Sequence, residues 1–162
     1  MLAQTLKPLF CCLVVAGSLL LPSLSLTAEG DAALGRTDCR FSRPLGWNEP
    51  QLVWEGGCNN GKADALGVLR AYTNGLASRL FLGRMRGGEF DIGVIDLPEG
   101  YIAGRFVEGK AVQDGDRNVI INAFREASSA AKLVGELFRQ AGNSAAADFY
   151  LEKSRKLAEQ MD

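Results

Sequence analysis

Two hydrophobic periods divide the chain. From Gln51 onward apolar residues alternate with polar ones in short runs, and each run ends at a turn signal. Leu-Val-Trp-Glu-Gly-Gly turns at Cys58-Asn59-Asn60-Gly61 and resumes as Ala-Leu-Gly-Val-Leu-Arg-Ala-Tyr. Thr73-Asn74-Gly75, Arg86-Gly87-Gly88 and Leu97-Pro98-Glu99-Gly100 punctuate the next runs. Strands separated by Gly-containing turns, with Asn-Gly at the tightest, predict an antiparallel meander. Glycines inside those strands (Gly67, Gly83, Gly93, Gly104) weaken β structure, so each calls for a backbone or an aromatic ring packed against it. After Asp116 the period changes. Ile120, Phe124, Ala127, Ala131, Val134 and Phe138 recur at steps of three and four, as on one face of a helix. Gly142-Asn143 stops it, and Asn143 or Ser144 can cap a second helix. That helix carries Ala147, Tyr150, Leu151, Leu157 and Met161 on one side. The predicted fold is therefore α+β: an antiparallel β-hairpin meander followed by a two-helix antiparallel hairpin.

The N-terminus stands apart from this pattern. Residues 9–21 are an apolar run behind Lys7, too short to span a bilayer, which takes about 20 apolar residues. Pro22 breaks it and small residues follow, the layout of a secretory signal peptide. Cys11 follows Pro8-Leu9-Phe10, without the small residue that lipidation asks for. The expected organisation is 1–28 cleaved signal peptide, 29–50 lead-in and loop, 51–115 sheet and 116–162 helical hairpin. Pro44 and Pro50 keep the loop extended, and Trp47 is expected to fold back onto the core.

Export changes the reading of the cysteines. Beyond the signal only Cys39 and Cys58 remain, and two cysteines in an oxidising compartment most simply pair. The loop they close is short, worth about 3 kcal/mol in the chain-entropy account. The chain has formal net charge −1, so bulk charge points to no nucleic acid. It has no histidine, which removes Ser-His and Cys-His nucleophile pairs and the commonest metal nitrogen ligand. Among the acids Glu89, Asp91, Asp96, Glu99, Glu108, Asp114 and Asp116, two on one face could serve glycan hydrolysis, but none sits in a recognisable motif. Asp114-Gly115-Asp116 begins like a calcium loop, yet position twelve is Arg125, so a turn and helix cap is the better reading. No cofactor is expected. Arg79, Arg84, Arg86 and Arg105 lie in or beside strands interleaved with Phe81, Phe90, Tyr101 and Phe106. Of these, Arg84, Arg86, Phe90, Tyr101, Arg105 and Phe106 form the candidate contact surface for an acidic partner or lipid headgroups, against the plainer reading of solvent-facing charges paired with Asp91 and Glu89.

One glycine frame is written more than once. Gly56, Gly61-Lys62 and Gly67 keep the spacing of Gly104, Gly109-Lys110 and Gly115, with a looser copy at Phe81, Gly83 and Gly87-Gly88. Each Gly-x4-Gly-Lys spells most of a phosphate-binding loop. Ala63 and Ala111 stand where such a loop needs Ser or Thr, and strands rather than helices are expected to follow. The repeated unit, with Trp54 ahead of Gly56 and Leu69 after Gly67, resembles the MORN repeat (membrane occupation and recognition nexus). Ala65 stands where that family usually has another glycine, Val112 replaces the next glycine of the last unit, and Glu89 replaces the lysine of the middle one. Residues 39–69 also resemble exported bacterial proteins with a MORN-like module, and residues 138–160 resemble one tetratricopeptide-type unit. The resemblance implies a ladder of hairpins used for binding or scaffolding. The function expected is that of a non-enzymatic periplasmic protein-binding module, most concretely an immunity-type inhibitor of a secreted toxin or enzyme. The alternative is an envelope scaffold binding anionic lipid.

Overall fold

The structure is a computed structural model; it describes residue 35, residues 37–112 and residues 115–162. The signal-peptide segment and Asp114 of the calcium-like loop lie outside the described residues. Six strands follow in chain order: β1 (Gln51–Asn59), β2 (Lys62–Thr73), β3 (Leu76–Arg86), β4 (Glu89–Leu97), β5 (Gly100–Val107) and β6 (Lys110–Ala111). They pair as an uninterrupted antiparallel meander in the same order. Two helices complete the chain, α1 (Arg117–Gln140) and α2 (Ser144–Ala158). The Asp116 and Asn143 side chains accept bonds from Asn118 N–H and Ala146 N–H, capping the two helices. Gly142, at φ +77°, lets the chain leave α1 while Asn143 N–H returns to the Phe138 carbonyl.

Both faces of the sheet are covered, by different means. On one side Val68, Leu80, Leu82 and Val94 pack against Phe124, Ala127, Ala131, Val134 and Phe138 of α1. α2 closes behind through Ala147, Tyr150 and Leu157, with Ser128 Oγ donating to the Ser154 carbonyl at 2.9 Å. On the other side no helix lies among the described residues. Residues 39–50 cross the sheet as a loop and supply Cys39 and Trp47 to a core of Trp54, Leu69, Phe81, Met85, Phe90 and Phe106. This loop is thus a layer of the fold. Backbone bonds hold it to the hairpin turns: Arg40 N–H to the Gly61 carbonyl, Ala63 N–H to the Arg40 carbonyl, and Ser42 N–H to the Gly88 carbonyl. Cys39 is disulfide-bonded to Cys58 of β1.

The strand glycines line up. Gly56 pairs with Gly67, Gly67 with Gly83, Gly83 with Gly93 and Gly93 with Gly104, a bare row crossing five strands. Rings fill the space above it. A Cβ on Gly67 would lie 2.5 Å from the Trp54 ring, and one on Gly93 3.0 Å from the Phe81 ring. Trp54 is fully buried, and its Nε1–H donates to the Gly57 carbonyl at 2.9 Å. Phe81 stacks on Phe90 with ring centres 3.8 Å apart, and Phe106 meets both edge-on. The repeated frame now has a physical meaning. In both copies the first glycine belongs to the row and the Gly-Lys makes the turn into the next strand, with Gly61 at φ +71° and Gly109 at φ +76°; only the first copy's aromatic, Trp54, lies over the row, whereas Tyr101 of the last copy turns to the helix side. The two copies differ at their ends: Gly67 sits in the row, whereas Gly115 lies beyond β6 and is exposed.

Ala65 is the exception among the strand residues other than glycine. Its φ is +66°, a region that costs a side-chain-bearing residue on the order of 1 kcal/mol or more. Ala65→Gly is expected to raise stability by roughly 1 kcal/mol, read as an upward shift of the urea midpoint. A lower midpoint would show that the Ala65 methyl group packs well enough to outweigh the strain.

Candidate functional site

Three of the four arginines singled out from the sequence come together at one end of the sheet, on its helix side, while Arg79 lies on the loop side with Glu49. Arg84 and Arg86 leave β3 two residues apart, Arg105 leaves β5, and α1 supplies Asn122, Arg125 and Glu126. They line an open groove of about 340 Å3 together with Asp91 and Ile92. Its local architecture depends on one irregularity. Arg84 pairs with Ile92 but Met85 with Phe90, so Asp91 is an extra residue in the β4 ladder. Such a bulge re-aims side chains. Here Phe90 turns into the loop-side core, while Asp91 accepts from Arg86 at 2.9 Å and lies 3.7 Å from Arg105. Arg84 reaches across to Glu126 of α1 at 3.0 Å. Arg125 bonds the Asn122 side chain at 2.7 Å. Four guanidinium groups therefore face two carboxylates, an excess of two positive charges in one groove. The bond to Asp91 holds the Arg86 guanidinium above its ordinary range.

The remaining candidates are placed elsewhere. Phe90 and Phe106 are each 5% exposed and belong to the aromatic core, so the expectation that they face a partner is corrected. Tyr101 is half-buried and meets Phe124 of α1 edge-on at 5.7 Å. Among the described residues no arginine pairs with Glu89; Ser42 Oγ donates to it at 3.4 Å. Of the other acids, Asp96 takes Lys153 of α2 at 2.6 Å, and Asp116 caps α1. Lys62 and Lys110 open β2 and β6 and are exposed; strands follow both Gly-Lys pairs. Among the described residues no three His, Cys, Asp or Glu side chains gather as a metal site. No helix of the described residues is long and apolar enough to cross a membrane.

No family model, no curated protein and no solved structure matches this chain. The repeat resemblance therefore rests on the residues alone.

Two buried ion pairs were not legible from spacing. Glu55 is 2% exposed and bonded to Arg70 across the β1–β2 hairpin. The Arg70 guanidinium lies 5.4 Å from the Tyr72 ring and 5.5 Å from the Phe138 ring, which ties the sheet to the helices. Burial raises the Glu55 carboxyl above its ordinary range and outweighs the lowering by Arg70. Burial also holds the Tyr150 hydroxyl above its usual range. On the loop side Glu49 takes Arg79 at 2.6 Å, and Arg79 lies over the Trp47 ring. Both pairs sit at joints between layers, where each fixes one layer to the next.

Proposed function

We propose that this chain is an exported, non-enzymatic protein-binding module, in its most concrete form an immunity-type inhibitor that neutralises an envelope-acting secreted toxin. The observation that carries the reading is the arginine groove. Arg86 and Arg105 keep 75% and 58% of their side chains in solvent while sharing a single carboxylate. Guanidinium groups present planar forks to carboxylates, so this surface suits an acidic patch on another protein. The cysteine pair and the short apolar N-terminal run support export, and the periplasm is the compartment that fits both. The MORN-like frame supports a binding role in place of a catalytic one.

The test uses Arg84→Glu, Arg86→Glu and Arg105→Glu combined. Their ion pairs are at least partly exposed, and exposed pairs are worth about 0–1 kcal/mol, so the variant folds. A partner cross-linked to the wild type in an envelope extract, then purified, is expected to lose about 100-fold or more in affinity for the variant. Wild-type binding should also weaken steeply with salt. Unchanged affinity for the variant sinks the reading. The exposure of Arg86 and Arg105 also suits anionic headgroups, a second reading. Flotation with anionic vesicles that depends on these arginines would favour it over the first.

A further inference from the structure

Among the described residues the sheet has an unfinished edge at β5. β5 runs from Gly100 to Val107, but β6 pairs only with its last two residues, Phe106 and Val107. Val112 N–H adds one bond to the Arg105 carbonyl. Arg105 therefore points its backbone outward, and alternation along the strand points Tyr101 and Ala103 outward too. Among the described residues no strand pairs with the outer side of residues 100–104. Edges are normally guarded by charge, proline or a bulge. The other edge, β1, carries Glu55 and a register shift between Gly56 and Cys58. Gly-Tyr-Ile-Ala-Gly at residues 100–104 carries none of these. Beside it runs a groove of about 410 Å3 whose walls include Tyr101, Ala103, Ile120 and Phe124. Ile102 is 40% exposed on the strand itself.

We propose that an extended segment of the protein partner adds to β5 as a further strand, pairing with the outward N–H and C=O groups of Tyr101 and Ala103. The proposal rests on the protein-binding reading above. Main-chain bonds supply affinity in this mode, and alternate side-chain positions supply selectivity. The segment is apolar at the positions facing Ile120 and Phe124. It ends opposite Ala103, short of Val112, in an acid within reach of the Arg105 guanidinium, which lines the arginine groove. A second copy of the chain fits poorly. Antiparallel pairing centred on Ile102 would set the second copy's Glu99 opposite Arg105, the place that Val112 already takes.

The experiment uses a fluorescein-labelled peptide, Thr-Val-Thr-Val-Thr-Asp, and its reversed sequence, against the full chain. One of them should bind saturably and slow hydrogen exchange at the Tyr101 and Ala103 amides. Ala103→Pro removes an outward N–H and no β4–β5 ladder bond, as proline is tolerated at edges. It should weaken binding by at least about tenfold. Backbone N-methylation of the peptide should do the same without touching the protein. Arg105→Glu should weaken only peptides that carry the aspartate. Absence of saturable binding, protection of no β5 amide, or equal binding after N-methylation overturns the proposal. So does a wild-type dimer that Ala103→Pro returns to monomer. A purified partner that ignores Ala103→Pro but is lost with the three arginine substitutions overturns strand addition alone and leaves the arginine groove standing.

Discussion

Gly67→Ala is expected to lose about 3 kcal/mol of folding free energy, the upper range for forcing a group into a filled core. The new Cβ has nowhere to go. It would lie 2.5 Å from the Glu55 carbonyl oxygen and 2.5 Å from two atoms of the Trp54 ring. The carbonyl belongs to the paired strand and the ring is fully buried, so neither yields without shifting its neighbours. Trp54→Ala alone should cost about 3–5 kcal/mol through the cavity it opens. The informative variant is the double one. If the row is bare because a ring lies on it, removing the ring relieves part of the clash, and the two losses sum to less than their separate values by about 1 kcal/mol or more. Urea denaturation at constant slope reads all three. Strict additivity would mean that strand approach alone demands the glycine. A loss below about 0.5 kcal/mol for Gly67→Ala would refute the packing altogether.

Arg70→Met should destabilise by about 3–5 kcal/mol near neutral pH, because it leaves Glu55 charged and buried without its partner. Methionine retains an apolar stem against Phe138 and Tyr150, so the loss reports chiefly the charge. The effect depends on pH in a fixed direction. The Glu55 carboxyl is already raised above 4.5 in the wild type, and removing the attraction and hydrogen bond of Arg70 raises it further. A raised carboxyl binds its proton more tightly when folded than when unfolded. Its contribution to stability is fully present below the unfolded value of 4.5 and is lost as pH rises through the folded value. The gap between Arg70→Met and wild type should therefore narrow as pH falls from 8 toward 5, and reopen on return. Glu55→Gln combined with Arg70→Met should recover most of the loss at pH 8, since no buried charge remains. A pH-independent gap would assign the loss to packing around the guanidinium instead.

Much of the fold follows from period and punctuation. Alternation from Gln51 and the Asn-Gly turns give the meander, and the three- and four-residue steps after Asp116 give the helices. The strand glycines announce close packing before any partner is known, and Trp54 and Phe81 supply it. Parity within a strand was less secure. Phe90, Ile92 and Val94 alternate as though they share a face, yet the extra residue Asp91 sends Phe90 to the loop side and Val94 to the helix side. No feature of the residues themselves marks that insertion. The helix contribution to the arginine groove was half visible: Arg125 and Glu126 fall off the apolar face of α1, but a helical period does not say which strands the helix crosses. The Glu55–Arg70 pair needs the β1–β2 register, which is set by the Asn60-Gly61 turn and then shifted between Gly56 and Cys58.

The crossing loop has a consequence for the order in which this protein acquires its shape. Cys39 and Cys58 are 19 residues apart, and both precede the first hairpin turn, at Asn60-Gly61. Their bond can close once β1 has emerged, at little loop-closure cost. The socket for Trp47 is different: Phe90 meets it edge-on at 5.7 Å and is synthesised more than 40 residues later. A nascent chain oxidised early thus carries a tethered strap whose tryptophan lacks its Phe90 neighbour until the fourth strand arrives. For that interval the loop-side rings stay wet, and newly made molecules are at their most adhesive before the loop comes down.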